Sequence, residues 1–167
     1  PGRGADSDLL MFGFYIFNNI GIGFRTFAAG ILFGVGSITV LLLNGLYIGA
    51  VVGYLAARGF GNTLFPFLIA HGAFELTGVV VAGTAGLRLG QALLSPGCYT
   101  RIEALRRAAR PAVHLVYGMT ALLLVAAFVE AFWSSSDRLP PGVRYGVGAT
   151  CWVAVLGYLW LAGRRAT

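Results

Sequence analysis

The fold turns on TFAAGILFGVGSITVLLLNGLYIGAVVGYLAA, residues 26–57. These 32 residues carry no charge and lie between Arg25 and Arg58. As one helix they would be roughly 48 Å long at 1.5 Å per residue, far beyond a hydrocarbon core of about 30 Å. Asn44-Gly45 stands inside the run and is a turn dipeptide. A break there gives two spans near 26–43 and 45–60, the second short and in need of partners. A single long helix is the alternative, and it would place the N-terminus on the opposite side of the membrane.

The rest of the chain agrees with a membrane setting. It is 57% hydrophobic and 11% charged, with a mean hydropathy of +0.79, whereas a soluble domain carries about 25% charged residues. Further apolar runs near 64–90, 111–133 and 145–162 complete the expected fold class: all-α, a polytopic transmembrane bundle of about five spans. Residues 1–25 are expected outside the cytoplasm. Their aromatic run LLMFGFYIFNNI (9–20) is too short to cross, suits the interface, and is ended by Asn18 and Asn19. Residues 95–110 are expected to form a basic cytoplasmic loop, with RIEALRRAAR (101–110) as a short helix and Pro111 opening the next span at its first position. Residues 26–162 are then the transmembrane domain and 163–167 a cytoplasmic tail.

All twelve basic residues are arginine. The densest group, Arg101, Arg106, Arg107 and Arg110, orients the bundle by the positive-inside rule and touches lipid headgroups, worth about 1 kcal/mol per residue near the surface. The net charge of +6 sits at the ends of apolar runs, so no nucleic-acid partner is expected. Cys98 and Cys151 stand alone and suggest neither a disulfide framework nor a metal knuckle. The chain begins PGRGADSD, with neither an initiator methionine nor a signal-peptide pattern, and reads as a fragment whose N-terminal part is missing. Without a phosphate loop, a Ser/His/Asp set or a Cys/His pair, the chain is not expected to be an enzyme, and no catalytic residue, cofactor or metal is expected.

Glycine supplies helix contacts where lipid removes the hydrophobic drive for association. Gly45, Gly49 and Gly53 form a ladder that reads as an interface, and Gly78 and Gly86 read as packing positions. Gly30/Gly34 and Gly86/Gly90 have the same spacing, which 25 glycines also produce by chance.

FLIAHGAFELTG (67–78) raises a different question, because His71 and Glu75 interrupt an apolar run. Four residues apart, they share a helix face with Gly78, Ala82, Ala85 and Gly86, while Ile69, Leu76, Val80 and Leu87 point the other way. The pair therefore faces protein or water at mid-membrane, where an ionised carboxylate costs at least about 2.5–3.5 kcal/mol. Three roles stay open. The pair fixes assembly by hydrogen bonding, with Asn18, Asn44, Thr39 or Thr77 as partners; it lines a proton or substrate path; or it holds a metal. For the last, His-Gly-Ala-Phe-Glu offers one imidazole and one carboxylate, and His114 stands too near the cytoplasmic edge to complete a set. Glu130 is expected at the outer interface.

FNNIGIGFRTFAAGILFGVGS (17–37), LLLNGLYIGAVVGYLA (41–56), HGAFELTGVVVAGTAGLRLGQALLSPG (71–97) and VEAFWS (129–134) together resemble the stage II sporulation protein M family of bacterial integral membrane proteins. The resemblance implies a multi-pass inner-membrane protein, usually with a further N-terminal span and a cytoplasmic segment. It implies an anchoring role, since in spore formers the namesake holds a complex with the cell-wall-degrading stage II proteins D and P. It carries no catalytic residue to this chain. The expected function is accordingly a scaffold of a cell-envelope or cell-wall remodelling complex. Its partners would be membrane lipids, other envelope proteins or copies of itself. The alternative is a transporter subunit in which His71 and Glu75 line a polar path.

Overall fold

The computed structural model describes residues 5–136 and 139–164. Among them the chain is helical throughout: α1 (Ala5–Tyr15), α2 (Gly21–Ala28), α3 (Val35–Leu55), α4 (Gly61–Leu94), α5 (Arg101–Phe128) and α6 (Pro141–Arg164). Three π turns, Ile16–Ile20, Ala56–Phe60 and Val129–Ser134, sit between or beyond them. Three helical stretches of the described residues are long and apolar enough to cross a membrane: Val35–Leu94, Arg101–Ser134 and Pro141–Arg164. The first is bent inside the π turn at Gly59, whose φ of 87° is left-handed, so that α3 and α4 fold back on each other.

Several boundaries differ from those expected. Helix α3 runs unbroken through Asn44-Gly45. A turn there would free backbone groups with no water to take them, whereas the helix satisfies them internally. The chain turns instead at residues 29–34, a 3₁₀ turn followed by Phe33 (φ 53°) and Gly34 (φ 81°). Asn18 and Asn19 do not end a helix either. Tyr15, Ile20 and Gly21 all keep right-handed helical angles, so α1, the π turn and α2 form one rod. That rod does not match an interfacial segment. Phe12 stacks on Phe128 and Phe132, and Gly23 lies against Met119 and Leu123. Phe27 packs against the cluster of Ala85, Leu89 and Ala112. The rod thus runs antiparallel to α5 along its length. Pro111 lies inside α5, not at its start. The connection before α5 shrinks to 95–100, where the Thr100 Oγ accepts the Glu103 N–H as an N-cap.

Helix α4 is the centre of the bundle and touches the α1–α2 rod, α3, α5 and α6. Its inward face is made of small residues: Ala70, Ala73, Ala82 and Ala85 are fully buried, with Gly78, Gly83, Gly86 and Gly90. Gly30 meets Gly86 and Gly34 meets Gly90, backbone to backbone. The spacing that abundance would also produce is therefore a backbone-to-backbone contact in the fold. The large side chains sit outside: Leu42, Leu46, Val80, Leu124, Val153 and Leu156 are among many exposed apolar groups. A small-residue interior with a greasy exterior is the pattern of helices packed in lipid.

Candidate functional site

His71 is the largest polar side chain buried in the bundle, 2% exposed. It lies one turn before Glu75 on the inner face of α4, with its Nε2 3.9 Å from the Glu75 Oε2. Phe67, one turn earlier, holds the imidazole edge-on with ring centroids 5.0 Å apart. On its other side the His71 Nδ1 is 3.1 Å from the Oγ of Ser134, which is itself buried.

Ser134 and Glu130 both come from the π turn that ends the α5 stretch. Its wider winding turns these two residues, four apart, toward α4. Glu130 does not reach the outer interface as expected: its carboxylate joins His71 and Glu75, and one ligand atom from each of the three lies within 4.8 Å of the others. A third element closes the cluster. The Asn19 Nδ2 donates to the Glu130 Oε2 at 3.4 Å, and the Asn18 Nδ2 donates to the Asn19 Oδ1 at 3.1 Å. Both asparagines stand on the π turn inside the α1–α2 rod. Two of the three π turns thus deliver side chains to one buried polar centre, in keeping with the frequent occurrence of such turns at functional sites.

One cavity is lined by the histidine and another by its neighbours Phe67 and Ser134. The first, of about 500 Å³, lies between α3, α4 and α6 and is lined by His71, Glu75, Ile48, Val52, Tyr145 and Trp152. The other, of about 360 Å³, is nearer the α3–α4 turn and is lined by Phe60, Thr63, Phe67, Ser134, Ser135 and Arg144. The Arg144 guanidinium donates to the main-chain carbonyls of Ser134 and Ser136, tying the start of α6 to the end of the π turn.

The other expected positions lie apart from this centre. Gly78 packs on Leu123, and Gly86 packs on Ser37 and the α2 backbone. Gly45, Gly49 and Gly53 have nothing within 4 Å of where a side chain would begin. Asn44 is half-buried in mid-helix. Arg101, Arg106 and Arg110 are exposed on the first turns of α5, and Arg107 pairs with Glu103 at 3.0 Å. His114 is exposed on α5, its Nδ1 3.2 Å from the Arg110 carbonyl. The third group beside His71 and Glu75 is therefore Glu130. Its signal in the sequence is an acid in an apolar run, VEAFW, and the π turn that aims it at α4 has no such signal.

Residues 3–135 match the family model described as stage II sporulation protein M. No curated protein matches the chain, and no solved structure does.

Proposed function

As a member of the stage II sporulation protein M family, the chain is a membrane protein, and we propose that it is a multi-pass scaffold of the bacterial inner membrane. In this role it would dock other envelope proteins or copies of itself in a cell-envelope or cell-wall remodelling complex, without catalysing a reaction. The observation that carries the reading is the contrast between its glycine faces. The glycines of α4 at 78, 83, 86 and 90 are filled by neighbouring groups of this chain, whereas Gly45, Gly49 and Gly53 on α3 are open. In lipid, a small-residue ridge is where a second helix gains close van der Waals contact.

The same reading takes five crossings with revised boundaries: the α1–α2 rod, α3, α4, α5 with its π turn, and α6. The antiparallel course of the rod beside α5 supports counting it as one. Arg25, Arg88, Arg101, Arg106, Arg107, Arg110 and Arg164 then share one end of the bundle, and Arg58 and Arg144 the other. The arginine-rich end is cytoplasmic by the positive-inside rule.

A photoreactive residue placed at Gly49 tests the docking role in native membranes. A discrete adduct from position 49, absent from a lipid-facing control at Val80, is expected. Lipid-only labelling at both positions would refute it. The cavity lined by His71 and Glu75 is the observation behind a second reading, a transporter subunit with a path past this pair. Glu75→Gln separates the two: it leaves a scaffold working, and it abolishes pH-dependent flux in a transporter while assembly persists.

A further inference from the structure

We propose that His71, Glu75 and Glu130 form a binding site for one divalent transition-metal ion of the Zn²⁺ or Mn²⁺ kind inside the bundle. The inference is independent of any docking role.

Charge is the first reason. One imidazole and two carboxylates each bring a ligand atom to within 4.8 Å of the others. A dication among them would offset ionised carboxylates where charge is expensive.

Geometry is the second. The 3.9 Å gap from the His71 Nε2 to the Glu75 Oε2 is too long for a hydrogen bond. It is near the spacing of two ligands on one ion, which at about 2.0–2.2 Å per bond lie roughly 3–3.5 Å apart. Rotation of the two partly exposed Glu side chains closes the remainder.

Orientation is the third. In the tautomer that donates Nδ1–H to the Ser134 Oγ, the Nε2 lone pair points toward Glu75. Asn19 holds Glu130 in the same manner. A hydrogen bond behind a ligand, present here for His71 and Glu130, is the usual support of a protein metal site. One nitrogen and two oxygens suit a borderline cation, whereas Ca²⁺ needs six to eight oxygens and Mg²⁺ keeps a shell of water. Two of the three proposed ligands, His71 and Glu75, also line the apolar cavity against α3 and α6.

The test uses the whole chain in detergent, stripped with a chelator, re-equilibrated separately with Zn²⁺, Mn²⁺ and Mg²⁺, and desalted. Elemental analysis is expected to find about one Zn²⁺ or Mn²⁺ per chain and no retained Mg²⁺. Glu130→Gln, nearly identical in shape, is expected to retain less than about a tenth of that, while Asn19→Ala binds about tenfold more weakly. Glu103→Gln, on the surface, retains the full amount. Co²⁺ loaded into the wild type is expected to show ligand-field absorption that His71→Ala loses. Size-exclusion and circular-dichroism profiles identify folded variants, and if His71→Ala does not fold, Glu130→Gln decides alone. Wild-type protein that keeps no ion, or Glu130→Gln protein that keeps it fully, overturns the proposal.

Discussion

Gly30 and Gly86 touch through their backbones, and a methyl group added to Gly30 would run into the Gly86 carbonyl. The contact pins the 29–34 turn to α4, and from it α3 takes its course back along the bundle. Gly34 against Gly90, one turn further on, repeats it.

Gly86→Ala should therefore be costly. Its new methyl would strike Ser37 Oγ and press on the Phe27 and Thr26 carbonyls at 2.9 and 3.0 Å. Overpacking of this kind costs about 1–3 kcal/mol. Gly118→Ala, in α5 with nothing within 4 Å, should be neutral or stabilising by up to about 1 kcal/mol through helix propensity. Unfolding in mixed detergent micelles measures both, and equal effects would remove the backbone contact as the reason.

Ser37→Ala isolates a hydrogen bond at the same place. The buried Ser37 Oγ donates to the Thr26 carbonyl at 2.6 Å, linking α3 to α2. Its loss should cost about 0.6 kcal/mol, the average for such bonds between membrane helices, and no more than about 1.7 kcal/mol. The same unfolding assay should place this variant between Gly118→Ala and Gly86→Ala.

Asn19→Asp should destabilise more than Asn19→Ala at neutral pH. Alanine removes one donor from the half-buried Glu130, at a cost of about 0.5–1.5 kcal/mol. Aspartate removes the donor and adds a like charge beside two carboxylates. The order of the two midpoints in metal-free protein is the readout.

Cys98 offers a labelling test of orientation without an added tag. It is exposed in the 95–100 connection beside the arginine-rich end, while Cys151 lies within α6. In a Cys151→Ser background, a membrane-impermeant maleimide should label Cys98 in inverted vesicles and not in intact cells. The reverse result would invert the bundle. With Cys98 also replaced by serine, Ser7→Cys near the start of the rod should label only from the outside. Labelling from the same side as position 98 would mean that the rod does not cross.

The class of fold and the two faces of α4 were legible because both rest on side-chain chemistry spaced along one helix. The burial of His71, Ala82, Ala85 and Gly86, and the exposure of Leu76, Val80 and Leu87, follow a 3.6-residue period. Ile69, expected on the outward face with them, packs instead against Gly148 of α6. The turns were not legible, because in lipid a turn dipeptide such as Asn44-Gly45 loses to an intact helix. The positions that do turn need left-handed angles at Phe33, Gly34 and Gly59, and nothing separates these glycines from their neighbours by type. The N-terminal rod was missed because Asn18, Asn19 and Arg25 depress its hydropathy. Yet Asn19 is hidden by partners that arrive more than a hundred residues later. Half of the polar centre is long-range in this sense, and a periodicity within one helix cannot show it.

The π turn at Val129–Ser134 carries a genetic consequence. A π turn is a helix holding one extra residue in a widened turn. Deleting one residue there would let the chain wind as ordinary α-helix and would leave α6 and the Arg144 anchor close to their present orientation. Such an allele would fold, and its cost would fall on the polar centre when the residue removed is Glu130 or Ser134.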